Sequence, residues 1–65
     1  MNPSAKLPPR CAHERDDGEG NGYFPKWYFN RHNLRCEQFV YRGQLGNDNQ
    51  FSTQHDCESY CQSKG

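Results

Sequence analysis

The chain has 65 residues, eight basic against eight acidic side chains, 31% hydrophobic residues and a mean hydropathy of −1.34. That length allows one domain with a small core, and the balanced charge removes any global argument for a nucleic-acid partner or an anionic membrane surface. No apolar run is long enough to insert into a membrane.

Residues 1–10 carry Pro3, Pro8 and Pro9 and read as an extended or frayed lead-in, tied down at Cys11. No leader-like apolar run is visible there, so an excised or recombinant chain is expected. Residues 12–22 are polar, with Gly18, Gly20 and Gly22 at every second position, and read as a functional or mobile loop. Glu14, Asp16, Asp17 and Glu19 make its first part acidic, whereas Lys26, Arg31, Arg35 and Arg42 make the following stretch basic. Two oppositely charged, solvated faces account for this.

Trp27-Tyr28-Phe29 is β-prone, with Trp27 and Phe29 on one face and Tyr28 on the other. Asn30-Arg31-His32-Asn33 is a turn signal, and Cys36–Tyr41 is a second strand with Phe39 and Tyr41 on one face. A turn-rich segment, 42–50, leads to Phe51. Residues 52–61 read as a short helix, with Thr53 as N-cap and Asp56 completing a capping-box-like pair. The fold class is therefore small, disulfide-rich α+β: a twisted antiparallel hairpin packed with a C-terminal helix, followed by a tail at 62–65.

Four cysteines in so short a chain imply a disulfide framework, an oxidising compartment and a secreted protein. Cys57 and Cys61 share a helix face that can reach one partner on the hairpin and one near the N-terminus. This favours Cys36–Cys57 and Cys11–Cys61 among the three possible pairings, worth roughly 3 and 4 kcal/mol in the chain-entropy model.

From Cys11 to Cys61 the chain resembles the Kunitz, or pancreatic trypsin inhibitor, domain. The resemblance rests on the Cys11 to Cys36 spacing, Trp27-Tyr28-Phe29-Asn30, Phe39-Val40-Tyr41 with Gly43, Gly46-Asn47-Asp48-Asn49-Gln50-Phe51, and Cys57 with Cys61. It implies that Asn49 is an interior amide satisfying backbone groups, and that Phe51 packs under the hairpin with Phe39 and Tyr28. One departure stands out. The family's second and fourth cysteines would fall at 20 and 44, where this chain has Gly20 and Gln44. The bridge that clamps the protease-binding loop is missing, and no orphan thiol is left.

The resemblance implies a binding loop Gly18-Glu19-Gly20-Asn21-Gly22-Tyr23-Phe24-Pro25-Lys26, with Asn21 entering the primary pocket of a serine protease. A trypsin-type pocket carries a buried aspartate and prefers Lys or Arg, so inhibition is expected to be weak or of unusual specificity. Tyr23 and Phe24 offer apolar contact area on the leaving-group side. Gln44 could hold the Gly-rich loop by hydrogen bonds to its backbone. Some secreted Kunitz domains lacking this bridge act on ion channels. By that likeness Lys6, Arg10, Lys26, Arg31, Arg35 and Arg42, with Tyr23, Phe24 and Trp27, would face a channel mouth. A third reading is an extracellular receptor-binding or adhesion module.

Catalysis and cofactors are not expected. No serine sits in a nucleophile motif, and the glycines at 18, 20 and 22 lack the strand and helix of a phosphate loop. Cys and His spacings around His13 and His55 fit no zinc pattern. No apolar stripe is left over, so a monomer is expected.

Overall fold

A computed structural model describes residues 7–62 as helix α1 (Pro9–Ala12), strands β1 (Phe24–Asn30) and β2 (Arg35–Tyr41), and helix α2 (Gln54–Cys61). Residues 1–6 of the expected lead-in, with the candidate cation Lys6, and residues 63–65 of the expected tail lie outside the described residues. The end of that lead-in is not extended. Pro9–Ala12 close a helical turn in which the Cys11 N–H donates to the Pro8 carbonyl at 2.9 Å. Pro9 at the first helical position has its φ preset and lacks only an N–H that the turn cannot use.

The strands pair antiparallel, from Phe24 opposite Tyr41 to Asn30 opposite Arg35. The turn between them is built by asparagines. Asn30 Oδ1 accepts from the His32 N–H at 2.9 Å, and Asn33 Oδ1 accepts from the Arg35 N–H at 3.1 Å. These side chains take over local backbone bonding, which is why Asn marks turns. Across the base of the turn, Glu37 accepts from Asn33 Nδ2 at 2.8 Å, from the Tyr28 hydroxyl at 3.0 Å and from Asn30 Nδ2 at 3.3 Å.

Cross-strand partners share a face of the sheet. Trp27, Phe29 and Cys36 therefore lie on one face, and Tyr28, Phe39 and Tyr41 on the other, as alternation along each strand predicts. Trp27 and Phe29 turn their peptide groups away from β2, and residues 49–51 collect them. The Trp27 and Phe51 peptides exchange bonds of 2.9 and 2.7 Å. Phe29 N–H donates to Asn49 Oδ1 at 2.9 Å, and Asn49 Nδ2 donates back to the Phe29 carbonyl at 3.0 Å. Pro25 has the same outward phase, where a missing N–H costs nothing.

This pairing places Phe51 on the Trp27 face. The expected packing of Phe51 with Phe39 and Tyr28 is not what forms. Phe51 joins Cys11, Phe29, Cys36, Cys57 and Cys61 in the buried cluster, with Leu7 and Trp27 packed against it. Phe39 is buried on the opposite face, edge-on to Tyr28 at 5.5 Å. The reason is the ladder: a residue paired with Trp27 must share its face.

Helix α2 starts at Thr53, whose hydroxyl accepts from the Asp56 N–H at 3.0 Å. The reciprocal bond of a full capping box is absent among the described residues. Cys57 and Cys61 are buried and bonded to Cys36 and Cys11, with Cα separations of 6.2 and 5.9 Å. The helix is thus tied to the hairpin and to α1, with the pairing expected from the sequence.

Two outcomes follow from this packing. Asn49→Ala strands the Phe29 N–H and carbonyl in the interior and should cost about 3 kcal/mol, read by denaturant unfolding with both disulfides intact. The bonds from Asn33 first, then Asn30 and Tyr28, hold the Glu37 carboxyl below its ordinary pKa. Its stabilising contribution is present above the unfolded-state pKa and is lost as pH falls through the lowered folded value. The melting temperature should fall with acidification through that window, and Glu37→Gln should remove this component of the pH dependence.

Candidate functional site

The loop carrying Gly18 to Tyr23 lies beside the segment following β2. The hydrogen bonds between them join backbone groups. Glu19 N–H donates to the Gln44 carbonyl at 2.7 Å, and Gln44 N–H donates to the Glu19 carbonyl at 3.0 Å. Gly22 N–H donates to the Arg42 carbonyl at 2.9 Å, and Arg42 N–H to the Asp17 carbonyl at 2.8 Å. Asp16 Oδ1 accepts from the Gly18 N–H at 3.0 Å and shapes the entry. Gln44 does hold the loop, but through its main chain; no side-chain bond from Gln44 occurs among the described residues.

Two glycines make this approach possible. Gly18 has φ +75°, and a Cβ there would collide with the Gln44 carbonyl oxygen. Gly20 has φ +114°, and its Cβ would sit 2.8 Å from the Arg42 carbonyl oxygen. Residues with a side chain rarely adopt such a φ. The glycines thus let two backbones meet. Gly20 and Gln44 remain neighbours, with Gln44 Cγ 3.8 Å from where a Gly20 Cβ would be.

Asn21 is exposed at the loop tip and makes no hydrogen bond to any described residue. Tyr23 is 73% exposed and Phe24 49%. Phe24, Pro25 and Lys26 belong to β1, so the irregular part of the loop ends at Tyr23. The Phe24 ring lies against Gly22 and Gly43, its Cε2 3.2 Å from where a Gly43 Cβ would be. Leu45, 70% exposed at φ +63°, extends this apolar end of the molecule, and its carbonyl accepts from the Tyr41 hydroxyl at 2.7 Å. Sequence reasoning passed over Leu45, although a lone large apolar residue in a polar turn segment was a usable signal.

The candidate cations divide. Arg10 donates to the Asp48 and Gln50 carbonyls at 2.9 and 3.1 Å, and its guanidinium lies 4.2 Å from the Phe51 ring centroid and 4.8 Å from that of Tyr60. Arg31 donates to the Ala12 carbonyl at 2.6 Å and to Glu14 at 2.8 Å. Both hold the fold together, and Trp27 packs on the core. Lys26, Arg35 and Arg42 make no ion pair among the described residues, and of these Arg42 sits at the loop end. No group of three or more potential metal-binding side chains gathers among the described residues.

A hairpin and helix locked by two disulfides, presenting one loop against another at their far end, define a stapled loop-display domain. Residues 10–62 match the Kunitz/Bovine pancreatic trypsin inhibitor domain, and the chain belongs to that family. It is 43% identical over 51 residues to Kunitz-type U19-barytoxin-Tl1a of Trittame loki, covering 78% of this chain and 29% of that protein. It is equally 43% identical over 51 residues to Kunitz-type serine protease inhibitor 6 of Rhipicephalus microplus, covering 78% of this chain and 18% of that protein. The chain thus spans less than a third of either relative's length. Among solved structures it is similar to one from work on pore-modulating toxins that exploit slow inactivation to block K+ channels. That match has a TM-score of 0.84 at 33% identity and covers 88% of this chain and 97% of the other.

The loop contact can be tested without a partner. Gly18→Ala should cost about 1–3 kcal/mol through backbone strain and raise amide exchange at Glu19 and Gln44. Exchange at the Phe29 amide should stay slow in that variant, because Asn49 still holds it.

Proposed function

We propose that the chain is a secreted Kunitz-type domain acting on a serine protease through the loop Gly18–Lys26, with Asn21 in the primary-pocket position and an unusual or weak specificity. The observation that carries this reading is the exchange of backbone bonds between Glu19 and Gln44. A loop pre-shaped by its own main chain loses little ordering entropy on binding, which is what an inhibitor loop needs. Gly18, Glu19, Gly20 and Gly22 set the loop's course, Gln44 is its backbone partner, and Asn21, Tyr23 and Phe24 offer side chains at its surface. The protease-inhibitor relative supports the partner class. Asn at the tip brings no charge to a trypsin-type pocket, which is the ground for the unusual specificity.

A second reading, channel modulation, has its own support. The similar toxin structure is covered over 97% of its length, and Lys26, Arg35 and Arg42 lack ion-pair partners among the described residues. In this reading the exposed Tyr23 and Arg42 face the channel mouth.

One substitution separates the two. Asn21→Lys should raise trypsin inhibition by about a hundredfold or more, the scale of a buried interfacial charge pair, and leave any channel activity unchanged. Inhibition constants for trypsin, chymotrypsin and elastase, measured on folded and oxidised protein, decide the matter. No inhibition by the lysine variant would remove the inhibitor reading.

A further inference from the structure

The exposed loop tip is an Asn-Gly dipeptide, Asn21-Gly22. In this dipeptide the glycine's peptide nitrogen can attack the asparagine side chain with no Cβ in the way. The reaction needs that nitrogen stripped of its proton and free to turn toward Asn21 Cγ. In the fold it is neither, because the Gly22 N–H donates to the Arg42 carbonyl at 2.9 Å. The Phe24 ring presses on the same glycine and on Gly43 across the loop contact. Asn21 itself is unrestrained: it is exposed, and its carboxamide bonds to no described residue.

We propose that Asn21-Gly22 is a self-modification site whose chemistry is gated by the Gly22–Arg42 hydrogen bond. When the bond opens, a base in solution removes the Gly22 amide proton. The nitrogen then forms a bond to Asn21 Cγ, the Cγ–Nδ2 bond breaks, and ammonia leaves after taking a proton from water. The resulting five-membered imide adds one water at either carbonyl and opens to aspartate or isoaspartate. No oxidant, metal or enzyme is required. The product carries a carboxylate in place of a neutral amide at the loop tip, and in the isoaspartate form the main chain is one methylene longer. The loop's opening equilibrium therefore sets how long the native loop survives.

This gating follows from the missing cross-link. A disulfide between positions 20 and 44 would keep the two segments together whenever a single hydrogen bond broke. Here local opening, of the kind every non-covalent loop contact undergoes, uncovers the attacking nitrogen.

The test is mass spectrometry of the oxidised protein held at neutral and mildly alkaline pH. The amide-to-acid mass gain is mapped to residues and isoaspartate is scored by its methyltransferase. Conversion should concentrate at Asn21, vanish in Asn21→Gln, and run about tenfold or more slower than in the reduced, unfolded chain. Phe24→Ala should accelerate it severalfold while Phe29 amide protection persists. If that variant unfolds, Phe24→Leu, which removes the same ring while keeping apolar bulk, provides the equivalent reading. Equal rates in the folded and reduced chains, no acceleration in a folded loop variant, or conversion at Asn33 or Asn47 instead of Asn21 would each overturn the proposal. Its functional consequence rests on the inhibitor reading above: aged protein should lose whatever inhibition fresh protein shows. The mass measurement needs no target, so an inactive protein would count against that reading and leave this one standing.

Discussion

The side-chain amide of Asn49 is the constraint on which the rest of this small fold depends. It is 1% exposed. It accepts from the Phe29 N–H and donates to the Phe29 carbonyl, and its second N–H reaches the His13 carbonyl at 2.8 Å. A two-stranded hairpin has two open edges and is marginal by itself. Asn49 closes one edge at its most buried point, because its carboxamide copies a peptide group of a third strand. The same bonds fix Phe51, two residues on, opposite Trp27, and bring the N-terminal loop against the hairpin. Buried main-chain groups without such partners would each cost about 1–3 kcal/mol, a large share of the stability of so small a domain.

The disulfides act in the same core, where all four cysteines cluster with Phe29. Cys36–Cys57 ties α2 to the hairpin, and Cys11–Cys61 ties α2 to α1. Neither reaches the loop at 17–24. That loop is held by four backbone hydrogen bonds, each worth on the order of 1 kcal/mol net. Together they compare with the roughly 3 kcal/mol that a cross-link between the two segments would contribute. The equilibrium strengths are thus similar, but the manner of failure differs. Hydrogen bonds open one at a time, whereas a covalent bridge does not. A domain of this kind can display a shaped loop and still let parts of it open.

Two of the basic side chains are engaged within the fold. Arg10 lies over the Phe51 and Tyr60 rings and bonds to two carbonyls, and Arg31 bonds to Ala12 and Glu14. Both fasten N-terminal segments to the rest of the fold. The count of basic residues therefore overstates the positive surface open to a partner. The loop end is mainly apolar and polar, with Tyr23, Phe24 and Leu45 exposed around Asn21 and Arg42 as its cation.

Much of this architecture was legible in the residues. Alternation placed Trp27 and Phe29 on one face and Tyr28 on the other. Thr53 marked the start of α2, and the spacing of Cys57 and Cys61 pointed to both disulfides. These are local properties, set by the period of a strand or helix and by the chemistry of a cap. Pro9 shows the limit of that reading: three prolines suggested an extended lead-in, but one of them stood where a helical turn begins. The side of the hairpin taken by Phe51 was not legible either, because it follows from a ladder between residues far apart in the chain. Likewise, Gly18 and Gly20 stood in a stretch that read as a functional or mobile loop. Only tertiary structure revealed them as points of close contact, since a glycine's role depends on what approaches it. By itself the sequence determined the two strands, the C-terminal helix, the covalent frame and the family. The tertiary structure decided how the loop is held, because residue identity does not show which distant segment a backbone group bonds to.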